Sequence, residues 1–68
     1  ANISLARNVS MYIIREVTGL SLENIGQKFG GKKHSTVKHS IDIIEDRMRH
    51  DMKFKNTVYN IIKQFKNN

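Results

Sequence analysis

The side chains with the greatest capacity for hydrogen bonding lie between Gly30 and Ser40, in the segment GGKKHSTVKHS. Lysine and histidine can donate to phosphate oxygens, and small hydroxyls can bond to phosphates or to the edges of bases. Ser35 and Thr36 are short enough to let a helix backbone approach a partner closely, and the Thr36 methyl group can contact a thymine methyl group. These residue types favour a phosphate-rich partner, and the cations that could neutralise its phosphates are Lys32, Lys33 and Lys38.

The histidines of this segment raise the alternatives of metal binding and catalysis. His34 and His39 are five residues apart, which turns their rings away from each other on a helix, whereas a shared metal face requires a spacing of about four. The chain has no cysteine, and no pairing of a nucleophile with a base is evident. We therefore expect no enzyme activity, no metal and no cofactor in this chain.

Charge and length narrow the class of protein. The 68 residues include 12 Lys and Arg against 6 Asp and Glu, a net charge of +6. This charge favours nucleic acid or an anionic membrane surface as partner, although a soluble basic domain is also compatible with it. No segment approaches the ~20 apolar residues that span a bilayer, and none resembles a signal peptide. We expect one domain over residues 1–68 and, because the first residue is Ala1, a fragment of a larger protein.

Apolar spacing predicts a first helix over about Ser4 to Thr18. One face follows the i, i+3, i+4 pattern of a buried stripe, and Met11 falls with Arg7 and Arg15 on a different face. The predicted inward residues of this helix are Leu5, Val9, Tyr12, Ile13, Val17 and Leu20.

A short second helix and a long third helix flank the turn at Gly30. The second helix is predicted over about Leu22 to Phe29, with Ser21 as its N-cap and Gly30 as its stop. The third helix begins between Lys33 and Ser35 and runs to about His50. Its predicted inward stripe is Val37, Ile41, Ile44 and Met48, and its outward face carries Ser35, His39 and Asp42.

A fourth helix, over about Met52 to Lys66, would complete the core. The predicted fold is therefore all-α, a small helix-turn-helix bundle of about four helices, with the helix-turn-helix at about residues 21–50. The first turns of the third helix are basic and its acidic residues come later, which suits a helix whose N-terminal end enters the major groove. An ordinary corner between two helices is the other interpretation. The predicted inward residues of the fourth helix are Phe54, Val58, Ile61 and Phe65.

Three consecutive segments carry a more specific signal: ARNVSMYIIREVTGLSL, SLENIGQKF and GGKKHSTVKHS. They are similar to the patterns R-x-x-A-M-Y-L-x-R-E-L-T, S-L-x-x-I-G and GG-R-D-H-T-T-V-x-H-A of the C-terminal DNA-binding domain of the bacterial replication initiator DnaA. The resemblance covers about residues 5–50 without a gap, and the last helix matches only in its apolar spacing. It implies sequence-specific binding of duplex DNA at origin sites called DnaA boxes, with the recognition helix 33–50 in the major groove, and a contribution to the initiation of chromosomal replication.

The resemblance also implies roles for individual positions. His34, Ser35 and Thr36 would contact bases, and His39 would contact the DNA backbone. The first helix and the start of the second helix would clamp phosphates. The complete set of predicted DNA-contacting residues is Arg7, Asn8, Arg15, Leu22, Lys32, Lys33, His34, Ser35, Thr36, Lys38 and His39.

This sequence departs from the family pattern at several positions. Lys33 stands where the family usually has aspartate, and a lysine can only donate, so the base preference at that step would change. Lys33 also cannot cap the third helix, so His34 or Ser35 would have to do so. Ser35 replaces threonine and loses one methyl contact. Asp42 and Ile43 stand where basic residues are frequent, which removes local attraction for phosphate.

A second class of function stays open beside DNA binding. The segment MKFKNTVYNIIKQFKNN is basic and amphipathic, so a non-catalytic helical interaction module or a module at an anionic membrane surface is the alternative. The expected partners are duplex DNA carrying a DnaA box and, in the alternative, anionic membrane lipids. We expect a monomer in the bacterial cytoplasm, at the nucleoid. The resemblance implies ATP for the full-length parent only, whose ATP-binding module and minor-groove arm are expected outside this chain.

Overall fold

The computed structural model describes residues 3–66, which form four α-helices joined by short turns. Within these residues there is no β-strand, so the predicted all-α fold of about four helices is confirmed. The bounds differ from the predicted ones by one residue at the start of the first helix and at the end of the second. The helices are α1 (Ile3–Thr18), α2 (Leu22–Lys28), α3 (His34–His50) and α4 (Met52–Lys66).

Helix α3 lies at the centre of the arrangement. It packs against α1, α2 and α4, and α1 also packs against α2 and α4. Across the described residues, α2 and α4 make no contact with each other. Helices α2 and α4 are therefore joined only through α1 and α3.

The core is a single apolar cluster to which every helix contributes. Val37 and Ile44 are fully buried, and Ile41 and Met48 are nearly so, which confirms the predicted stripe of α3. The other buried apolar side chains are Met11, Tyr12, Ile25, Val58 and Ile62.

The buried face of α1 differs from the predicted stripe. Met11 is fully buried, whereas the predicted stripe residues Leu5 and Val9 are partly buried and pack at the edge of the core. The buried face of α1 is therefore rotated toward Met11 and Tyr12. The prediction that Phe65 closes the core is wrong: Phe65 is 58% exposed and borders an apolar groove lined by Ile13, Ile14 and Val17 of α1.

In α4 the buried residues are Val58 and Ile62, so Ile62 takes the place predicted for Ile61. These two residues are one turn apart and face α1 and α3, the two helices that α4 contacts. The predicted stripe is displaced by one residue at this point.

Gly26 sets how closely α2 approaches the turn that follows it. Its carbonyl oxygen accepts the backbone amides of Phe29 and Gly31 at 3.1 Å each and of Lys32 at 2.9 Å. A Cβ atom on Gly26 would overlap the Lys32 carbonyl oxygen, which is backbone and cannot rotate away. Gly30 and Gly31 have φ of 85° and 77°, a left-handed conformation that glycine adopts without steric cost.

Replacing Gly26 with alanine should destabilise the fold. Alanine has the higher helix propensity by about 1 kcal/mol, so the substitution would stabilise an unconstrained helix. Here the overlap should dominate and lower the free energy of unfolding by about 3 kcal/mol, measured by urea denaturation followed by circular dichroism. Gln27→Ala, at an exposed position of the same helix, is the matched control. A Gly26→Ala protein as stable as the wild type would contradict the close contact.

Tyr12 makes the stability of the core dependent on pH. Burial, reinforced by the charge of Glu16, raises the pKa of Tyr12 from 10.0 to about 12. The fold therefore favours the protonated phenol, and this contribution is complete below about pH 10 and is lost as pH rises from 10 to 12.

We expect Tyr12→Phe to lose less stability than the wild type over this interval, because phenylalanine has no proton to release. Urea denaturation at several values between pH 9 and pH 12 would measure the difference. Both proteins contain the same lysines, so the difference between their curves separates the effect of Tyr12 from lysine deprotonation. Parallel curves for wild type and Tyr12→Phe would contradict the assignment.

Candidate nucleic-acid interface

The α2–turn–α3 unit presents the first turn of α3 at the surface. Val37 and Ile41 anchor the inner side of the helix in the core. The outer side chains of the first turns are exposed, and the half-buried Lys32 is tied to α2 through its own amide. The predicted residues that the structure exposes here are Lys33, His34, Ser35, Thr36, Lys38 and His39.

The N-terminus of α3 has no side-chain cap. Lys33 occupies the N-cap position in an extended conformation (φ −68°, ψ 152°), and its side chain makes no capping hydrogen bond. The first intrahelical bond runs from the Val37 amide to the Lys33 carbonyl at 3.1 Å, so the three amides of residues 34–36 have no intrahelical partner. The expectation that His34 or Ser35 takes over the cap is wrong, because both already lie inside the helix.

Three predicted phosphate-clamp residues line one cleft between α1, α2 and α3. They are Arg15, Leu22 and Lys38. The Arg15 guanidinium donates to the Leu20 carbonyl, which holds it beside the start of α2. Ser21 Oγ accepts the Asn24 amide at 3.1 Å, which leaves the Leu22 amide in the same turn without an intrahelical partner. The structure thus brings together a guanidinium, an ammonium and a helix N-terminus from three different helices.

Arg7 and Asn8 lie about two turns before Arg15 on α1 and do not line this cleft. Arg7 is half-buried, and its Nε has no partner among residues 3–66. Asn8 is only 9% exposed, and its buried Oδ1 likewise has no hydrogen bond within the described chain. Asn8 is therefore the predicted site residue with the least surface available for a partner.

An ion pair that was not predicted from the sequence lies on the exposed side of α3. Lys38 Nζ lies 3.2 Å from Asp42 Oδ1 and 3.0 Å from Oδ2, with the two side chains 63% and 52% exposed. Asp42 also lines the cleft, as do Glu16 and Glu45. The i, i+4 spacing of a lysine and an aspartate was the available signal for this pair.

Neither a metal centre nor a membrane span emerges from residues 3–66. No group of three or more His, Cys, Asp or Glu side chains there could hold a metal ion. None of the helices in this part of the chain combines the length and apolar character needed to cross a bilayer.

Giving α3 a side-chain cap should stabilise the protein. We expect Lys33→Asp to raise the free energy of unfolding by about 1 kcal/mol, because aspartate at the N-cap can accept a first-turn amide and its charge favours the positive end of the helix. Thermal or urea denaturation would measure this. Lys33→Ala, which removes the charge without adding an acceptor, is the control, and equal stability of the two variants would count against an open helix end.

The family described as bacterial dnaA protein helix-turn-helix matches residues 1–44, which include α1, α2 and the first turns of α3. No solved structure matches.

Curated relatives include the chromosomal replication initiator protein DnaA of Geotalea daltonii, 45% identical over 60 residues, and that of Thermomicrobium roseum, 49% identical over 49 residues. The matches cover 88% and 72% of this chain. They cover only 14% and 10% of the two relatives, so the chain corresponds to a small part of each. The family match extends over more than half of the residues of this chain. The chain therefore belongs to the bacterial DnaA helix-turn-helix family.

Proposed function

We propose that this chain binds duplex DNA at DnaA boxes, with α3 in the major groove, and so contributes to the initiation of chromosomal replication. The observation that carries the proposal is the uncapped and exposed first turn of α3, where His34, Ser35 and Thr36 project from a helix fixed by α2. Membership of the DnaA helix-turn-helix family and the relatives' names as replication initiators support the biological setting.

The dimensions and polarity of this end of α3 suit the major groove. The groove admits one α-helix, and small hydroxyl side chains allow the helix to approach the base edges. The open amides of residues 34–36 and the helix dipole favour a negatively charged neighbour. His34, Ser35 and Thr36 are proposed to contact bases, while Lys32, Lys33 and His39 contact the adjacent backbone.

A second set of contacts would fix the orientation of α3 on the duplex. Arg15, the Leu22 amide and Lys38 share one cleft beside α3, so they could bind the phosphates that border the groove. Arg7, two turns away on α1, would extend this set along the strand, with Asn8 contributing through its small exposed fraction. These contacts supply affinity without sequence information.

Residues 1–68 would act as one monomeric DNA-binding domain without catalytic activity, in the bacterial cytoplasm at the nucleoid. ATP would act on another part of the full-length protein, outside residues 1–68.

A second candidate is binding to an anionic membrane surface. The observation that favours it is Phe65, 58% exposed and close to Lys63 and Lys66 in the last turns of α4. An exposed aromatic ring among lysines is typical of helices that lie at a lipid interface.

Equilibrium binding at several salt concentrations would separate the two functions. The ligands are a duplex carrying a DnaA box, a duplex of the same composition with a scrambled sequence, and vesicles of anionic phospholipid. A sequence-specific DNA-binding protein keeps its preference for the box as salt rises, because base contacts release few counterions. Equal loss of affinity for all three ligands would refute sequence-specific binding.

His34→Ala and Thr36→Ala should lower the preference for the box over the scrambled duplex. Each good base contact is worth about 1–3 kcal/mol of discrimination, so each variant should lose roughly fivefold or more in the ratio of the two dissociation constants. Gln27→Ala, at an exposed position outside the proposed interface, should keep the ratio. If the His34 and Thr36 variants lost affinity equally for both duplexes, these residues would be phosphate contacts only.

Arg15→Ala should weaken binding to both duplexes and reduce the slope of log affinity against log salt by about one, because one phosphate contact is removed. The matched control is Lys63→Ala, which removes one exposed cation from α4, a helix that makes no contact with α2. An unchanged slope for Arg15→Ala, or an equal change in both variants, would remove Arg15 from the proposed clamp.

A further inference from the structure

The ion pair between Lys38 and Asp42 lies between the first turn of α3, which is proposed to contact bases, and the cleft that is proposed to bind phosphates. Lys38 follows His34 by one turn of α3, and Asp42 follows Ser35 by two turns, so the pair continues the face that carries the first-turn side chains. Both residues also line the cleft that contains Arg15 and Leu22. A carboxylate at this place would be repelled by phosphates unless donors surround it.

We propose that Lys38 and Asp42 act together as a specificity-determining unit that selects a G·C base pair next to the bases contacted by the first turn of α3. The inference rests on the proposed function, because it requires α3 to lie in the major groove. It assigns Asp42 a contact with a base, whereas charge alone would make Asp42 unfavourable near DNA. It also gives Lys38 a base contact in place of a phosphate contact, so that Arg15 and the Leu22 amide remain as the phosphate clamp.

The hydrogen-bonding capacity of the pair is not exhausted by the ion pair itself. The Lys38 ammonium has three donors, and its contacts at 3.0 and 3.2 Å engage the two carboxylate oxygens with at most two of them. The Asp42 carboxylate has about four acceptor positions, of which the ion pair uses two. At least one donor and about two acceptors therefore remain, and both side chains are more than half exposed.

This combination of donor and acceptor matches the major-groove edge of a G·C pair. Guanine presents two acceptors, N7 and O6, to which the ammonium can donate, and cytosine presents the N4 amino group, which the carboxylate can accept. An A·T pair places the O4 acceptor of thymine at the corresponding edge, where it would repel the carboxylate.

The position of the pair along α3 is compatible with base contact. Asp42 lies seven residues after Ser35, about 10 Å along the helix axis. Recognition helices of the homeodomain type contact bases over about two turns, which is the same span. In the free protein the acid already contacts Lys38, which favours this orientation before DNA binds.

A second ion pair on α3 provides a matched control. Arg49 lies 3.1 Å from Asp46, and the two side chains are 67% and 62% exposed. This pair has a similar exposure and a similar separation but lies in the C-terminal part of the helix and does not line the cleft. Asp46 Oδ1 also lies 3.7 Å from His50 Nδ1. Removing the Asp46 charge therefore tests what exposed ionic contacts outside the cleft contribute through charge and helix stability.

The experiment selects bound sequences from a pool of random duplexes with the wild type, Lys38→Ala, Asp42→Asn and the control Asp46→Asn. The wild-type motif should contain one G·C pair whose preference falls about tenfold in both Lys38→Ala and Asp42→Asn, within the range for loss of a good base contact. The rest of the motif should persist, and Asp46→Asn should select the wild-type motif. Circular dichroism would verify that each variant is folded.

A variant in which the two charges are exchanged tests the orientation of the selected base pair. In the double variant with Lys38→Asp and Asp42→Lys, donor and acceptor change places along α3, so the preference at this position should change from G·C to C·G. Retention of the original orientation would overturn the proposal.

Two further outcomes would also overturn the proposal, and they separate its failure from that of the proposed function. If the wild type selects a motif and both single variants select the same one, the ion pair only balances charge, and DNA recognition by α3 stands. If the wild type selects no motif, the proposed function fails as well.

Discussion

The geometry of the proposed interface depends on the contact between Gly26 and the turn after α2. The Gly26 carbonyl oxygen accepts three backbone amides, and the space where a Cβ would lie is occupied by the Lys32 carbonyl. Helix α2 and the start of α3 are therefore joined through backbone atoms, which have no rotamers. This contact sets where α3 begins. From there, burial of Val37 and Ile41 directs His34, Ser35 and Thr36 toward solvent.

The same backbone arrangement leaves the N-terminus of α3 without a side-chain cap. Lys33 is held in an extended conformation at the N-cap, and its long cationic side chain cannot satisfy the first-turn amides. A short acceptor there would stabilise the helix, but it would also occupy amides that an anion could bind. Departures from the locally most stable residue are expected at functional sites, and the lysine adds a cation beside the amides. The open cap and the charge of this turn therefore favour the same kind of ligand.

The sequence predicted where the helices begin and end better than it predicted which side of each helix is buried. The bounds of α3 and its stripe from Val37 to Met48 follow from regular spacing with few competing apolar residues, and both are confirmed. In α1 and α4, apolar residues occur on more than one face, so spacing alone could not show that Met11 is buried and that Phe65 is not. The role of Gly26 could not be predicted either, because it depends on the path of the turn four to six residues later.

Residue type alone did not predict which side chains are exposed at the positions proposed to contact DNA. A polar residue in an amphipathic helix is expected at the surface, yet Asn8 is buried beside the core, and this follows from the rotation of α1 that also buries Met11. Asp42 presents the opposite case, since its charge alone predicts repulsion from DNA. Its contact with Lys38 changes that expectation, because the carboxylate and the ammonium together form a neutral group with both donors and acceptors. Net charge therefore does not predict what the exposed face of α3 can bind. The pairing of charges on that face determines which donors and acceptors are available to a partner.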